Sequence, residues 1–268
     1  MPPETPPPPK PLLIEARPEM RIELDGPALR ITVPARSERL FPLTRISRIT
    51  TIGSAEWSTE ALLACAKAGI TLLFSDHQCR PIARLLGQVE ANPAQELPQL
   101  LYDFTQQPEW RSRYYDWIHG VEQQALRQHH LRIALPLAPL PHARKALTQR
   151  YARLTTSEQA QWIEQATTTL LLARSQQQLA EWGLGSDHSI LRHPVLDLAQ
   201  DLCAPLRWHA AAHLLTYLQK RYHSHRFTAA PPLSLHRLAT RLEHHAPALD
   251  RECRILIERL HLYLLEQV

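Results

Sequence analysis

The segment LDGPALRITVPARSERLFPLTRISRITTIGSAEWSTEALLACAKAGITLLFSD, residues 24–76, alternates short runs of β-branched residues with a single helical run. Asp25 and Gly26 form a hairpin turn signal between two short alternating stretches. The Ile and Thr residues that recur after the hairpin favour further strands, because branched side chains pack well on a pleated surface. The segment therefore predicts a small β-rich unit.

One short helix interrupts the predicted strands. Ser58 or Thr59 can cap its start, Glu60 suits its first turn, and Gly69 can end it. The apolar run ITLLFSD that follows predicts a buried strand, and CRPIARLLGQ predicts one more. We therefore predict a β-rich domain with one short helix over residues 12–88.

The remaining chain is helical in character. One long helical run begins near a cap at Thr156 or Ser157 and ends at Gly183. Two more runs follow, HPVLDLAQDLCAPLRWHAAAHLLTYLQKRYH and the amphipathic DRECRILIERLHLYLLEQV. The predicted fold class is α+β, with an all-α domain over residues 101–268, a linker at 89–100 and a proline-rich tail without regular structure at 1–11.

Composition narrows the setting of the protein. The chain has 268 residues, which suits two domains, and it contains no apolar stretch of the roughly 18 residues that a bilayer crossing requires. Its N-terminus lacks the apolar core of a signal peptide. Its four cysteines show no C-x-x-C pairing, which favours free thiols in a reducing compartment. We predict a cytoplasmic protein that does not contact membranes.

The basic residues are unevenly chosen. Only four of the 30 are lysine, and the rest are arginine, whose planar fork can grip phosphate in two places. This bias fits a nucleic-acid partner, although a GC-rich genome also produces it. Clusters in both domains, some interleaved with aromatic residues, predict contacts to duplex DNA, and the alternative is an ordinary solvated helix face. The predicted DNA contacts are Arg36, Arg39, Arg45, Arg48, Arg111, Arg113, Arg144, Lys145, Arg150 and Arg207.

Residues 21–88 resemble the N-terminal β-domain of the Cas-one family of CRISPR-associated proteins, in which hairpin, Ile-rich strand, capped helix and next strand follow in the same order. The second half resembles the family's helical domain through AEWGL (180–184), His188 and LDLAQDLCAPLRW (196–208). The resemblance implies an integrase and endonuclease of spacer acquisition, which inserts short duplex DNA into a CRISPR array by metal-dependent transesterification. It also implies a homodimer formed through the β-domains and a Cas-two family dimer as partner.

The resemblance further implies a site for Mg²⁺ or Mn²⁺, in which family members use a Glu, a His and an Asp. His188, in a polar loop after a helix end, is the expected histidine, with His193 as its competitor. Asp197 and Asp201 lie four residues apart, so both fall on one face of a helix and can reach one cleft. His188, Asp197 and Asp201 are the expected catalytic and metal-binding residues. The alternative is that the aspartates cap the helix start or pair with nearby arginines.

The expected glutamate is missing. The matching helix start is HARKALTQRYARL, where the acidic position falls at Ala143 or Arg144, and an arginine there would repel a metal ion. The family also often places an acidic residue where this chain has Ala204. Three outcomes stay open: another alignment that uses Glu122 or a later glutamate, a ligand borrowed from elsewhere, or a subunit that binds DNA without catalysis. The last defines our alternative function, a non-catalytic DNA-binding structural subunit of the same integration complex.

Paired histidines are a further candidate feature. They fall in helical settings without a matching second pair at the usual zinc-ligand spacing, so we interpret them as surface histidines. The pairs are His129-His130, His223-x-His225 and His244-His245. A helical adaptor unrelated to DNA is a third hypothesis for the function, which requires the likeness of the β-domain to be chance.

Overall fold

The computed structural model describes residues 8–34, 36–87, 96–184, 196–224 and 231–267. Within those ranges an N-terminal domain of eight strands and one helix is followed by seven further helices. The predicted α+β fold class is confirmed. The order of the two halves follows from the sequence pattern, because runs with a period of two give way to runs with a period near 3.6.

The strands form two four-stranded sheets. In chain order they are β1 (Lys10–Glu15), β2 (Arg21–Asp25), β3 (Ala28–Thr32), β4 (Arg39–Pro42), β5 (Ile46–Ile52), β6 (Glu56–Trp57), β7 (Thr71–Ser75) and β8 (Pro81–Leu85). The first sheet has the order β1-β5-β7-β8, with β8 antiparallel at one edge, and the second has the order β4-β3-β2-β6. The predicted hairpin joins β2 to β3, and it turns at Gly26, whose left-handed φ of 55° a glycine adopts without a Cβ clash.

Several of the helices begin at a side-chain cap. In chain order the helices are α1 (Thr59–Lys67), α2 (Leu97–Thr105), α3 (Trp110–His129), α4 (Leu140–Leu154), α5 (Ser157–Glu181), α6 (Leu198–Ser224), α7 (Leu235–His244) and α8 (Ala246–Gln267). Ser58 Oγ accepts a hydrogen bond from the backbone N–H of Ala61 at 3.1 Å, and Thr156 Oγ1 accepts one from Gln159 at 3.2 Å, as predicted. Within the described ranges, none of these helices is both long and apolar enough to cross a membrane.

Two predicted boundaries differ from the observed elements. β1 begins at Lys10, inside the predicted tail of residues 1–11, because its backbone pairs in parallel with β5. α2 begins at Leu97, inside the predicted linker of residues 89–100. In the first case the partner strand lies far along the chain, so a local pattern could not reveal the pairing.

Each domain has its own core, and the two cores meet on β5 and β7. Leu72 packs in the core of the first domain, whereas the next residue, Leu73, packs in the core of the helical domain. Ile49 and Ile52 of β5 divide in the same way. Successive side chains of a strand point to opposite faces, so these strands are covered on both sides and tie the domains together.

Four charged side chains, which we call the junction network, cross this boundary. They are Arg48 on β5, Arg174 on α5, Glu243 on α7 and Asp250 on α8. Arg48 Nη2 donates to Glu243 Oε1 at 2.5 Å, and Arg174 Nη2 donates to the same oxygen at 2.8 Å. Arg174, which is 2% exposed, also donates to Asp250. Two buried guanidinium groups are therefore balanced by two carboxylates, as buried charges must be.

Candidate functional site: a pocket between α3, α4 and α6

A pocket of about 320 Å³ opens between α3, α4 and α6. Two of its lining residues are Asp201, a predicted metal ligand, and Arg144, which stands at one of the two positions where the family glutamate was expected. Its walls carry charges of both signs. The lining residues are Tyr115, Ile118, His119, Glu122, Arg144, Gln200, Asp201, Ala204 and Arg207.

Glu122 is the buried acid of this pocket, with a side chain that is 4% exposed. Arg144 Nε donates to its Oε1 at 3.0 Å, and Arg144 Nη2 donates to its Oε2. Trp208 Nε1 donates to Oε1 at 3.2 Å. A buried carboxylate needs such partners, because burial without compensation is costly. The carboxylate of Glu122 is therefore already matched by a guanidinium and an indole.

Asp201 and Asp197 have different partners although they lie four residues apart. Asp201 Oδ2 accepts the hydroxyl of Tyr114 at 2.9 Å, and burial raises the pKa of Asp201 to about 6. Asp197 Oδ1 accepts from Arg84 Nη1 on β8 at 2.8 Å and from the backbone N–H of Gln200 at 3.0 Å. Asp197 thus caps the start of α6 and ties it to the first domain, as the structural alternative expected, while Asp201 lines the pocket.

Comparison with known proteins relates this arrangement to a family. Residues 13–133 match the family described as CRISPR associated protein Cas1, a segment that runs through the N-terminal domain and across α3 to beyond Glu122. This segment belongs to the Cas1 family. The resemblance drawn from residues 21–88, to the family called Cas-one above, is confirmed.

Solved structures share the fold over most of the chain. A CAS1 protein from Thermotoga maritima superposes with a TM-score of 0.73 at 10% identity, over 96% of this chain and 97% of that one. A casposase bound to an integration product gives 0.56 at 14% identity, over 79% and 73%. The Cas6-RT-Cas1–Cas2 complex gives 0.56 at 12% identity, over 95% of this chain and 35% of that one. No curated protein sequence matches the chain.

The described residues do not fit the metal site that the Cas1 resemblance implies. Mg²⁺ and Mn²⁺ prefer several oxygen ligands, chiefly carboxylates, and the buried carboxylate of Glu122 is held by Arg144. Across the part of the chain that the structure describes, no three His, Cys, Asp or Glu side chains form a possible ligand set. His188 lies outside the described residues. A metal site formed by His188, Asp197 and Asp201 therefore stays a prediction.

The residues predicted to bind DNA differ in accessibility. Arg144 reaches the surface but is bound to Glu122. Five are exposed: Arg36, Arg39, Arg45, Arg111 and Lys145. Three are partly buried: Arg113, Arg150 and Arg207. Both domains therefore present arginine side chains to solvent, where they are able to contact the phosphates of a nucleic acid.

The structure corrects the prediction for Arg48. Its side chain is 6% exposed, and its Nη1 donates to Gln177 Oε1 at 2.8 Å while Nη2 pairs with Glu243 in the junction network. A guanidinium enclosed between two domains cannot reach a phosphate. The sequence alone did not distinguish Arg48 from its neighbour Arg45. Arg45 lies outside β5 and is exposed, whereas Arg48 lies within the strand and is buried.

Helix α4 contains basic residues and no acidic residue. Arg144, one of the predicted DNA contacts, is neutralised by Glu122. Lys145, Arg150 and Arg153 make no ion pair with any described carboxylate within 4 Å and lie within roughly 140° around the helix axis. We call these three residues the basic face of α4.

Sequence reasoning missed a row of partly buried histidines. His129 Nε2 lies 2.8 Å from His209 Nδ1, and the rings of His213 and His245 stack with centroids 3.8 Å apart. Burial lowers the pKa of His129, His209 and His213 to about 4, so these imidazoles are neutral at pH 7. The surface interpretation of His129 and His245 is corrected. The four-residue spacing of His209 and His213 on a buried helix was the signal that could have revealed this histidine row.

Proposed function

We propose that this Cas1 protein is a DNA-binding subunit of a CRISPR spacer-integration complex, which grips short duplex DNA without a metal centre in the α3–α4–α6 pocket. The basic face of α4 carries the proposal, because it offers three cations with no described carboxylate to compete with phosphate. Arginine and lysine on one helix face form the electrostatic footprint typical of a nucleic-acid-binding surface.

Solved structures of the same fold support the choice of partners. The casposase was solved with an integration product, and the Cas6-RT-Cas1–Cas2 complex contains Cas2. By analogy, this chain would bind protospacer and CRISPR-repeat duplexes, a Cas2 dimer and a second copy of itself. Edge strands β4 and β8 carry the exposed Leu40 and Ile82, at 59% and 71%, and offer backbone groups for pairing in such a homodimer.

Duplex binding tests the proposal directly. We expect replacement of Lys145, Arg150 and Arg153 by glutamine to weaken binding of a short 3′-hydroxyl duplex by about tenfold or more. The slope of log K against log salt should fall by about 0.9 for each lost phosphate contact. The matched control replaces three exposed cations on α6 and α8, which should change the slope by less than about 0.5. The control residues are Lys220, Arg251 and Arg254. Equal effects of the two triple variants would refute a role for the basic face of α4.

A catalytic integrase is the second candidate, because Asp201 lines the pocket and Asp197 begins the same helix. In that case Mg²⁺ or Mn²⁺ held with His188 would support transesterification by a 3′-hydroxyl. A strand-transfer assay with the Cas2 partner, a short duplex and a supercoiled repeat-leader plasmid separates the candidates. Joining that requires Mn²⁺ and is lost in His188→Ala would establish the integrase. Duplex binding without joining, unchanged by His188→Ala, would establish the non-catalytic subunit.

A further inference from the structure

Two departures from the Cas1 pattern meet in the α3–α4–α6 pocket. The resemblance implies an acidic residue at Ala143 or Arg144, near the start of α4, and often one at the place of Ala204 on α6. Of these, Arg144 and Ala204 line the pocket, although they lie 60 positions apart. One change replaces a carboxylate with a cation, and the other removes a carboxylate. Their convergence in space indicates that the electrostatics of this pocket have changed as a whole.

We propose that Arg144 is a built-in cation that neutralises the acid of this pocket and takes the place of a bound divalent metal ion. This inference rests on the proposed function, because a subunit without a metal centre needs a pocket that is stable without an ion. The contacts of Glu122 carry it. Arg144 engages both carboxylate oxygens, and Trp208 adds a third donor at 3.2 Å. A metal ion could not coordinate Glu122 without displacing at least one of these donors.

The charge balance of the pocket leads to the same conclusion. Arg144 and Arg207 face the carboxylates of Glu122 and Asp201, so fixed positive and negative charges are equal in number. A divalent ion would find no excess negative charge there and would lie beside a guanidinium, which repels it. Arginine cannot lose its proton in a protein, so the pocket cannot be freed for a metal by deprotonation of Arg144.

Removal of the Arg144 guanidinium should give the pocket an excess of negative charge. In Arg144→Gln, the carboxylate of Glu122 would stay buried on α3 while its cation is lost, and Asp201 would line the same pocket. The two carboxylates would then share the pocket with Arg207 alone, and the excess negative charge favours a cation from solution. The variant should therefore bind a hard divalent ion that the wild-type protein does not bind.

Mn²⁺ binding tests this without any measurement of activity. Electron paramagnetic resonance of free Mn²⁺, with a thermal-shift titration as a second readout, would compare wild type, Arg144→Gln, Lys145→Gln and the double variant Arg144→Gln/Glu122→Gln. Lys145→Gln is the matched control, because it removes one positive charge from the neighbouring, exposed position on α4. The double variant replaces the pair with neutral groups and shows whether Glu122 is the ligand. Arg144→Lys keeps the charge and serves if Arg144→Gln does not fold.

At a total Mn²⁺ concentration of about 1 mM, we expect the ion to stay unbound with the wild type, Lys145→Gln, Arg144→Lys and the double variant. We expect the affinity of Arg144→Gln for Mn²⁺ to be at least about tenfold higher than that of the wild type. Saturable Mn²⁺ binding by the wild type that is lost in the double variant would overturn the proposal, as would an affinity of Arg144→Gln for Mn²⁺ equal to that of the wild type. If Arg144→Gln does not fold, the wild type and Arg144→Lys are compared instead. Absence of Mn²⁺ binding by both supports the proposal, and saturable Mn²⁺ binding by either overturns it. Duplex binding by the wild type in EDTA is measured separately, so failure of the proposed function is distinguishable from failure of this inference.

Discussion

Helix α6 carries ionisable side chains on two faces, and burial acts on them with opposite consequences. At about 100° per residue, Asp201 and Arg207 face the pocket, while His209 and His213 lie on roughly the opposite side. Burial raises the pKa of the acid Asp201 to about 6 and lowers the pKa of both histidines to about 4. In each case the neutral form gains, because a partly buried charge loses hydration.

The difference lies in how the two faces respond to acid. As the pH falls, a histidine with a lowered folded pKa binds its proton more readily in the unfolded state. A carboxyl group with a raised folded pKa binds its proton more readily in the folded state. Acid therefore destabilises the histidine row and favours the pocket face. Stability measured as a function of pH can separate the two contributions, provided that each face is altered alone.

The largest effect is expected from the histidine row. The folded pKa values of about 4 lie below the ordinary histidine pKa of 6.5, so the unfolded chain binds more protons between those values and stability falls on acidification. With allowance for the solvent exposure of His129 and His213, the loss between pH 7 and pH 5 should be on the order of 2 kcal/mol. Differential scanning calorimetry should show the Tm falling by about 5 °C over that range.

Other charged groups surround the histidine row, so the contribution of the histidines has to be isolated by substitution. Arg132, Arg241 and His244 add positive charge near it, and Glu252 lies 3.6 Å from His209. In the double variant His209→Asn/His213→Gln the dependence of Tm on pH should shrink by about half, because two of the titrating groups are gone. A wild-type Tm that stays constant from pH 7 to pH 5 would contradict the assignment of neutral histidines.

A smaller effect of opposite sign is expected for Asp201→Asn. Between the ordinary aspartate pKa of 3.8 and the folded pKa of about 6, the folded state binds more protons than the unfolded state, so stability falls as the pH rises through that window. The asparagine removes this loss and can still accept from Tyr114. At pH 7.5 the variant should be more stable by about 1 kcal/mol, after discounting for solvent screening, with the gain vanishing toward pH 4. Exposed Asp116→Asn is the control, and a lower Tm for Asp201→Asn at pH 7.5 would refute the expectation.

The smallest effect is expected for Tyr114→Phe. Its hydroxyl stabilises the ionised form of Asp201 by donating a hydrogen bond at 2.9 Å. Loss of that donor should raise the pKa of Asp201 further and cost about 0.5–1 kcal/mol at pH 7.5. Carbon-detected NMR of the Asp201 carboxyl group follows the titration. In Asp201→Asn the same tyrosine substitution should have less effect, and equal effects in both backgrounds would show that the two side chains are not coupled.

Local patterns predicted most of the fold, and distant contacts explain what they missed. The hairpin at Gly26 and the caps at Ser58 and Thr156 depend on neighbouring residues, so the sequence displays them directly. The pairing of β1 with β5 and the contact of His129 with His209 join residues far apart in the chain. No local pattern encodes them.

The candidate site was predicted less completely for the same reason. The order of the family motifs indicated Asp201 and the missing glutamate. Glu122 lies 22 residues before Arg144 and on another helix. The two side chains meet because of how α3 packs near α4, which the sequence does not display. Asp197 likewise found its partner, Arg84, 113 residues away on β8. Partners of this kind become visible when the helices are assembled.

The junction network has a consequence for how this protein can diverge. Arg48, Arg174, Glu243 and Asp250 come from four separate elements, and a neutral substitution of either carboxylate leaves two buried guanidinium groups with one carboxylate between them. Mutational paths through one-residue steps are therefore obstructed. In an alignment of relatives these four positions should covary, either retained together or exchanged together for apolar residues of similar volume.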